Sequence, residues 1–261
     1  MASIYDYPKY YDIAFSYRDT GREAAVMQRA IEQFSHIPVA NVLEIACGHS
    51  PHLEHILSLG YSYQGLDLSS TMLAYAAEKA AARGLKAKFI QGNLADFTVP
   101  EPVDFAYIML GSLYVQTTAQ LISHFASVQR VLKPGGLYFL DWCIDFSPLT
   151  NTSDAWTCRR DGVEVRVRYT TRLLHPARQH YRESLSAEVR EGRERLHLEH
   201  SNIRRAIYPQ EFVLVASHMH QFELVGWWND WDFNQPLDSV THGIVRPIIV
   251  LRRKLVRPNS L

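Results

Sequence analysis

Apolar and polar positions follow two rhythms along this chain, and the change falls near residue 150. Residues 22–34, REAAVMQRAIEQF, place Ala25, Val26, Ala30 and Phe34 on one face, which predicts an amphipathic helix. ANVLEIA (40–46) predicts a short buried strand. SPHLEHILSLG (50–60) follows as a helix, with Ser50 as N-cap, Pro51 at the first helical position and Gly60 as its stop. YSYQGLDLS is the next strand, SSTMLAYAAEKAAARG an alanine-rich helix ending in glycine, and KAKFIQGNL the third strand. PVDFAYIML is strand four, TTAQLISHFASVQRVL a helix closed by KPGG, and LYFLDW strand five. Strands alternating with helices over residues 40–142 predict parallel βαβ units in an α/β, doubly wound sheet.

After Pro148 the period becomes two. In VEVRVRYTTRLL (163–174), Val163, Val165, Val167, Tyr169, Thr171 and Leu173 alternate with charged or polar residues, as in a half-exposed antiparallel strand. HPAR turns the chain into QHYRESLSAEVR, and EGRE turns it again into RLHLEHSNIRRAIY, giving a three-stranded meander within residues 155–205. PQEFVLVASHM then reads as a helix from Pro209, and FELVGWW and RPIIVLRRK as two last strands. The expected organisation is an N-terminal helical segment (1–35), a core made of 36–150 and 206–261, and a β insert (151–205).

In doubly wound sheets ligands sit at the carboxyl ends of the strands. VLEIACGHSP (42–51) lies there, and its small residues and Gly48 let the backbone approach a ligand. Strand two ends in Asp67, 23 residues after Glu44, a spacing at which this type of fold holds an adenosine ribose by its hydroxyls. The turn lacks the G-x-G-x-x-G of dinucleotide sites, and no G-x-x-x-x-G-K-[ST] occurs.

The pattern acid–x–small–x–Gly–x–small instead resembles motif I of the class I S-adenosylmethionine-dependent methyltransferases. GLDLSSTML looks like that family's acidic loop, QGNLADF its segment beside the adenine, FAYIMLGSLY its strand-four motif, and RVLKPGGLYFLDW its turn into strand five. The resemblance spans residues 5–145. It departs from the family at Ala46 and Ser50, where glycines are usual, and at Asn93, where aspartate is usual. It implies a Rossmann-like seven-stranded sheet ending in an antiparallel hairpin, and S-adenosyl-L-methionine as cofactor. Glu44 would meet the methionine amino group, directly or through water, Asp67 the ribose and Asn93 the exocyclic amine. Ala46, Gly48, Leu68, Met72, Leu94 and Leu110 complete the expected cofactor site, while Met109 is expected to be plain core.

The start of the chain, YDYPKYYDIAFSYRD (5–19), is dense in tyrosine. In methyltransferases that resemble it, such a segment folds over the cofactor. Tyr11 and Tyr17 are then candidates to cover the sulfonium or orient the attacking atom, and Arg18 to pair with the methionine carboxylate. Simple packing of the first helix is the competing reading. Tyr114 follows strand four, one place before a histidine found in aminosugar N-methyltransferases and absent here. A phenol with a pKa near ~10 is a poor base at neutral pH, so Tyr114 is expected to orient the acceptor, or else to be core beneath the insert.

Charge narrows the acceptor. The 261 residues carry 27 basic and 27 acidic side chains, which gives no reason to expect nucleic acid or a membrane surface. The start has no basic flank before an apolar stretch, no run is long enough to span a bilayer, and the three cysteines lack metal spacing; a cytoplasmic protein is expected. Residues 151–205 are different, with 12 arginines against 8 acidic residues, a net charge of +4. Such arginines either meet an anionic group of the acceptor or form a solvated face. Trp227, Trp228 and Trp231 line a pocket or fill the core. His49, His52 and His55 read as solvated helix residues rather than a metal site, and no metal is expected. The best reading is a small-molecule N- or O-methyltransferase, monomeric or homodimeric, like those acting on aminosugars or glycine. A protein or nucleic-acid methyltransferase and a non-catalytic S-adenosylmethionine-binding regulator are the alternatives.

Overall fold

The computed structural model describes residues 2–147, 150–240 and 242–255. Pro148, where the rhythm changes, and residues 256–261 of the expected core lie outside the described residues. Helices α1 (Pro8–Ala14) and α2 (Thr20–Phe34) lead into β1 (Asn41–Ile45), α3 (Leu53–Ser58), β2 (Ser62–Asp67), α4 (Ser70–Ala82), β3 (Lys88–Gln91) and β4 (Val103–Ile108). Helix α5 (Thr118–Val131) returns the chain to β5 (Leu132–Asp141). Four antiparallel strands follow: β6 (Thr152–Arg160), β7 (Val163–His175), β8 (His180–Glu191) and β9 (Glu194–Arg205). Helix α6 (Pro209–Val213), continued by a π-helical turn to Met219, then precedes β10 (Phe222–Trp228) and β11 (Ile248–Arg253).

The first sheet has seven strands in the order β10-β11-β5-β4-β1-β2-β3; β1 to β5 pair in parallel and β11 antiparallel to both β5 and β10. Helices cover both faces, so all six residues of β4 are buried, as expected of a continuous apolar run in a parallel sheet. The second sheet, β6-β7-β8-β9, buries one face only.

Several local readings are corrected. Helix α2 is rotated: Ala24, Val26, Met27, Ala30 and Ile31 are buried and Ala25 is exposed, because Glu23 is drawn inward by partners described below. Helix α3 starts at Leu53, not at Pro51. Ser50 adopts φ +53°, the left-handed region, and so cannot cap a helix in the usual extended conformation. Gly60 does end that helix, at φ +88°. The KPGG segment belongs to β5, and a Cβ on Gly136 would collide with the Asp104 carbonyl, so only glycine fits this close strand approach. The insert has four strands, not three. Strand β6 lies at the sheet edge with its first four residues exposed, so it has no alternation to read.

Two buried clusters fill the two faces of the large sheet. A third joins the insert to the start of the chain: Ile4, Ile13 and Ala14 pack on Val163, Val165, Val167, Ala187, Val189 and Leu198. Trp156 Nε1 donates to the Ala14 carbonyl at 2.8 Å, fastening α1 to β6. The expected N-terminal cover therefore divides, α1 packing with the insert and α2 with the large sheet. Among the described residues, no helix is long and apolar enough to cross a membrane.

Candidate active site

Beyond β1 the backbone takes the left-handed conformation at alternate residues, with φ of +55°, +52° and +53° at Ala46, Gly48 and Ser50. The positions where the resembled family uses glycine are thus the ones that need φ > 0, and alanine and serine bear that strain here. The Asp67 carboxylate organises this loop. Its Oδ2 accepts the Gly48 N–H at 2.7 Å and its Oδ1 the Ser69 N–H at 2.8 Å. A carboxylate has about four acceptor positions, so the pair leaves capacity for two hydroxyls. Burial pushes the Asp67 carboxyl upward, against its backbone hydrogen bonds.

The surroundings fit an adenosine ligand. A Cβ added at Gly48 would meet nothing within 4 Å, so open space lies over the loop. Leu68, beside Asp67, is 69% exposed although it is large and apolar, while Met72 beneath it is buried. Asn93 is exposed, its Oδ1 accepting the Ala95 N–H at 2.9 Å with one lone pair left. Leu94 and Leu110 are half-buried, and Met109 is core as expected.

Glu44 is a correction. It is 2% exposed, and its carboxylate lies beneath the loop rather than facing a ligand. Oε2 accepts from the Tyr63 and Tyr107 hydroxyls, the latter at 2.9 Å, and Oε1 from His52 Nδ1 at 3.3 Å. His52 is fully buried, its Nε2 donating to Glu23 at 2.7 Å. Burial alone would pull the imidazole down, yet the hydrogen bonds to Glu23 and Glu44 carry it upward. A carboxylate on each ring nitrogen favours the imidazolium form of His52.

Glu23 also binds Arg18 through both carboxylate oxygens, at 3.2 and 2.5 Å, and Arg246 at 2.7 Å. Arg246 in turn holds Asp141 at 2.7 Å, and Asp141 Oδ2 accepts the Leu110 N–H at 2.9 Å. Three cations and three carboxylates thus balance in one buried network. It ties α2, the loop before α3, the end of β5 and the loop after β4 together. Within it Arg18 turns Nε and Nη2 to Glu23, and Nη1 has no hydrogen bond among the described residues. The solvated reading of the histidines is overturned. His49 is buried, its ring pushed down to about 3 chiefly by burial, so its 3.7 Å approach to Asp12 is not an ion pair at neutral pH. His55 is half-buried beside Thr20 Oγ1 at 3.1 Å.

A second polar cluster lies where the insert meets the end of β4. Arg204, on β9, donates to the Gly111 carbonyl at 2.6 Å and pairs with Glu183 of β8 at 3.2 Å. Its guanidinium lies between the rings of Tyr114 and Tyr181, 5.5 and 5.0 Å from their centroids. Tyr169 donates to Glu183 at 2.5 Å. Tyr114 is half-buried there, and burial, with Glu183 second, pushes its phenol well up, which removes it as a base. Tyr5 reaches the same place from the N-terminal turn, 5.3 Å from Tyr11, which itself stands 5.6 Å from His49. Tyr17 is 60% exposed, against Phe15 and Trp156. Trp228 and Trp231 are core, and Trp227 donates to Asp238 at 3.0 Å.

The sequence reading missed Tyr5, His52, Tyr169, Tyr181, Glu183, Arg204 and Arg246. Glu183 and Arg204 carried a signal, a charge at a position where period two calls for an inward side chain. Most arginines of the insert are instead exposed, and three of them, Arg159, Arg166 and Arg190, line Glu164. A cleft of about 270 Å³ beside α3 and α4 is lined by Asp12, Lys79, Arg83 and Arg160 and includes neither Gly48 nor Asp67.

With this geometry in view, likeness to known proteins sets the class. A family model described as a methyltransferase domain matches residues 42–136. The chain is 30% identical over 171 residues to the dTDP-3-amino-3,4,6-trideoxy-alpha-D-glucopyranose N,N-dimethyltransferase of Streptomyces venezuelae, covering 64% of this chain and 70% of that protein. It spans 41–63% of the length of five further curated relatives. Among solved structures, an S-adenosylmethionine-dependent methyltransferase from Clostridium acetobutylicum superposes with TM-score 0.76 at 18% identity, over 94% of this chain and 96% of that one. Streptomyces venezuelae DesVI superposes with TM-score 0.72 at 21% identity, over 90% and 92%. The chain belongs to the class I S-adenosylmethionine-dependent methyltransferases. It is an enzyme of that family, with S-adenosyl-L-methionine as its cofactor.

Proposed function

We propose that this enzyme methylates the nitrogen of a small amine, with nucleotide-linked amino sugars as the first acceptor class to test. The observation that carries the reading is the roof over the carboxyl edge of β4, where Tyr114, Tyr169, Tyr181, Glu183 and Arg204 converge. The names of relatives that act as sugar N,N-dimethyltransferases support it. In this reading residues 36–150 and 206–261 form the cofactor-binding core, and 151–205 with α1 form the cover over the acceptor.

When bound, S-adenosylmethionine supplies a methyl group already activated on a sulfonium. Asp67 accepts the two ribose hydroxyls, Gly48 lets the backbone approach, Ala46 holds the loop, and Leu68, Met72, Leu94 and Leu110 form apolar walls. Asn93 takes the exocyclic amine through its remaining lone pair. Tyr11 covers the reacting end, and Tyr17 stands at the mouth. Displacement in line at carbon needs alignment above all, which the protein provides by proximity. Tyr114 orients the acceptor and excludes water, and the amine proton leaves to solvent. Glu44 and Arg18 act indirectly, by fixing the loop.

The test is incubation with S-adenosylmethionine and a nucleotide-linked 3-aminosugar or its 3-hydroxy counterpart, followed by mass spectrometry. The amine should gain one and then two methyl groups, and the hydroxy compound none. Methylation of the hydroxy compound alone, or of neither, overturns the reading.

A further inference from the structure

We infer that Glu183 is the anchor for the acceptor's amine, through its carboxylate oxygen Oε2. The inference rests on the N-methylation reading above and adds the residue that selects for nitrogen.

Strand β8 turns Tyr181, Glu183, Ala187 and Val189 inward, and all four are buried. A carboxylate on such a face is costly unless its lone pairs are matched. One oxygen is matched: Oε1 accepts from the Tyr169 hydroxyl at 2.5 Å and faces Arg204 at 3.2 Å. The other, Oε2, takes no hydrogen bond among the described residues. Glu44 gives the contrast. It too has two tyrosines within reach and a cation beside it, but both of its oxygens are occupied.

Arg204 is fixed by the Gly111 carbonyl at 2.6 Å and by the rings on either side of it. Glu183, 7% exposed, therefore presents one open acceptor, in a cluster whose Arg204 Nε is also without a hydrogen bond. The chemistry that completes it is a donor. The surrounding rings of Tyr114, Tyr169 and Tyr181 favour a group with positive character, and the carboxylate repels anions. An amine meets both conditions, donating N–H to Oε2. A hydroxyl meets the first but lacks the positive character of the second, and a phosphate or carboxylate meets neither.

The position suits the reaction. Gly111, which holds Arg204, directly follows Leu110 at the carboxyl edge of β4, the edge that also carries the Asp67 loop. Tyr5 stands next to Tyr11, the candidate to cover the reacting end, with ring centroids 5.3 Å apart.

The experiment is calorimetry on protein saturated with S-adenosylhomocysteine. The probes are a nucleotide-linked 3-aminosugar, glucosamine and butylamine, each beside its hydroxy counterpart. The wild type should bind amines more tightly than their counterparts. Glu183→Gln should weaken amines by about ten- to a hundredfold and leave S-adenosylhomocysteine within twofold. Should that variant fail to fold, Glu183→Asp, which withdraws the oxygen by one methylene, should show the same selective loss. Retained preference for amines in the substituted protein overturns the anchor and leaves the N-methylation reading standing. Parallel loss of S-adenosylhomocysteine affinity also overturns it, since the residue would then be structural. If free amines bind through Glu183 while the sugar nucleotide does not, the anchor stands and the acceptor class falls. Binding of hydroxy compounds in preference to amines, or of no probe, overturns both.

Discussion

In the large sheet, strand β4 is buried at every position, and the proposed cofactor site stands at the strand ends, where Asp67, the last residue of β2, accepts the Gly48 and Ser69 N–H groups. In the insert the reverse holds: Glu183 and Arg204 stand within strands, among buried neighbours of one face. In a parallel sheet covered on both faces, polar side chains within strands, such as Glu44 and Asp104, are matched by partners within the protein, which leaves the strand ends for a ligand. An antiparallel sheet with one free face can roof a cavity and contribute charge directly from it. The two regions therefore answer to different tests, one for cofactor and one for acceptor.

The largest effect is expected where the two meet. His52→Ala leaves Glu23 and Glu44 buried without their shared cation, and breaking such a network costs about 3–5 kcal/mol. Denaturant unfolding checks this, and a loss below about 1 kcal/mol would mean that the network is not what joins α2 to the loop. The same residue sets a pH dependence. Its folded pKa lies above the ordinary 6.5, so its stabilisation is complete below 6.5 and is lost as pH rises through the raised value. Melting temperature should fall on the alkaline side, and His52→Gln should flatten that limb. His49 and His124, pushed down to about 3 and about 4 by burial, act on the other side, losing stability as pH falls below 6.5.

A smaller effect separates the cover from the core. Trp156→Phe removes the hydrogen bond to Ala14 at a cost of about 1 kcal/mol, and it should raise the KM of the acceptor more than that of the cofactor. Equal changes in both would make α1 part of the cofactor site alone. The smallest change is expected for Tyr114→Phe, which keeps the ring against Arg204 and loses only the hydroxyl. Melting temperature and cofactor affinity should stay close to wild type while turnover falls. Normal turnover would reduce Tyr114 to packing beneath the insert.

The sequence made the parallel sheet and its order of elements legible, because its helices and strands carry different periods and its turns carry glycine. The 46–50 loop was legible for a related reason: a tight loop with left-handed backbone demands small residues. The role of Glu44 was not, since its partners Tyr63, Tyr107 and His52 are brought together only by the fold. The histidines were misread because a three-residue spacing has meaning only on a helix, and the chain is left-handed at Ser50, before α3 begins. Glu183 was legible as an anomaly and not as a site, because Arg204 comes from the next strand. Strand β6 gave no signal, being exposed along its first half at the edge of its sheet.

The most direct test of the central claim, that the cofactor is held at the Gly48–Asp67 edge, is titration of S-adenosylhomocysteine into three proteins by calorimetry. The rival location is the cleft beside α3 and α4, which holds Lys79. Asp67→Ala should weaken binding by about 1–3 kcal/mol, since the ribose hydroxyls lose their acceptor. Lys79→Ala, which disturbs only the cleft and its Asp12 pair, should leave affinity within about twofold of wild type. Unchanged affinity in Asp67→Ala with a clear loss in Lys79→Ala would contradict the account and move the cofactor to the cleft.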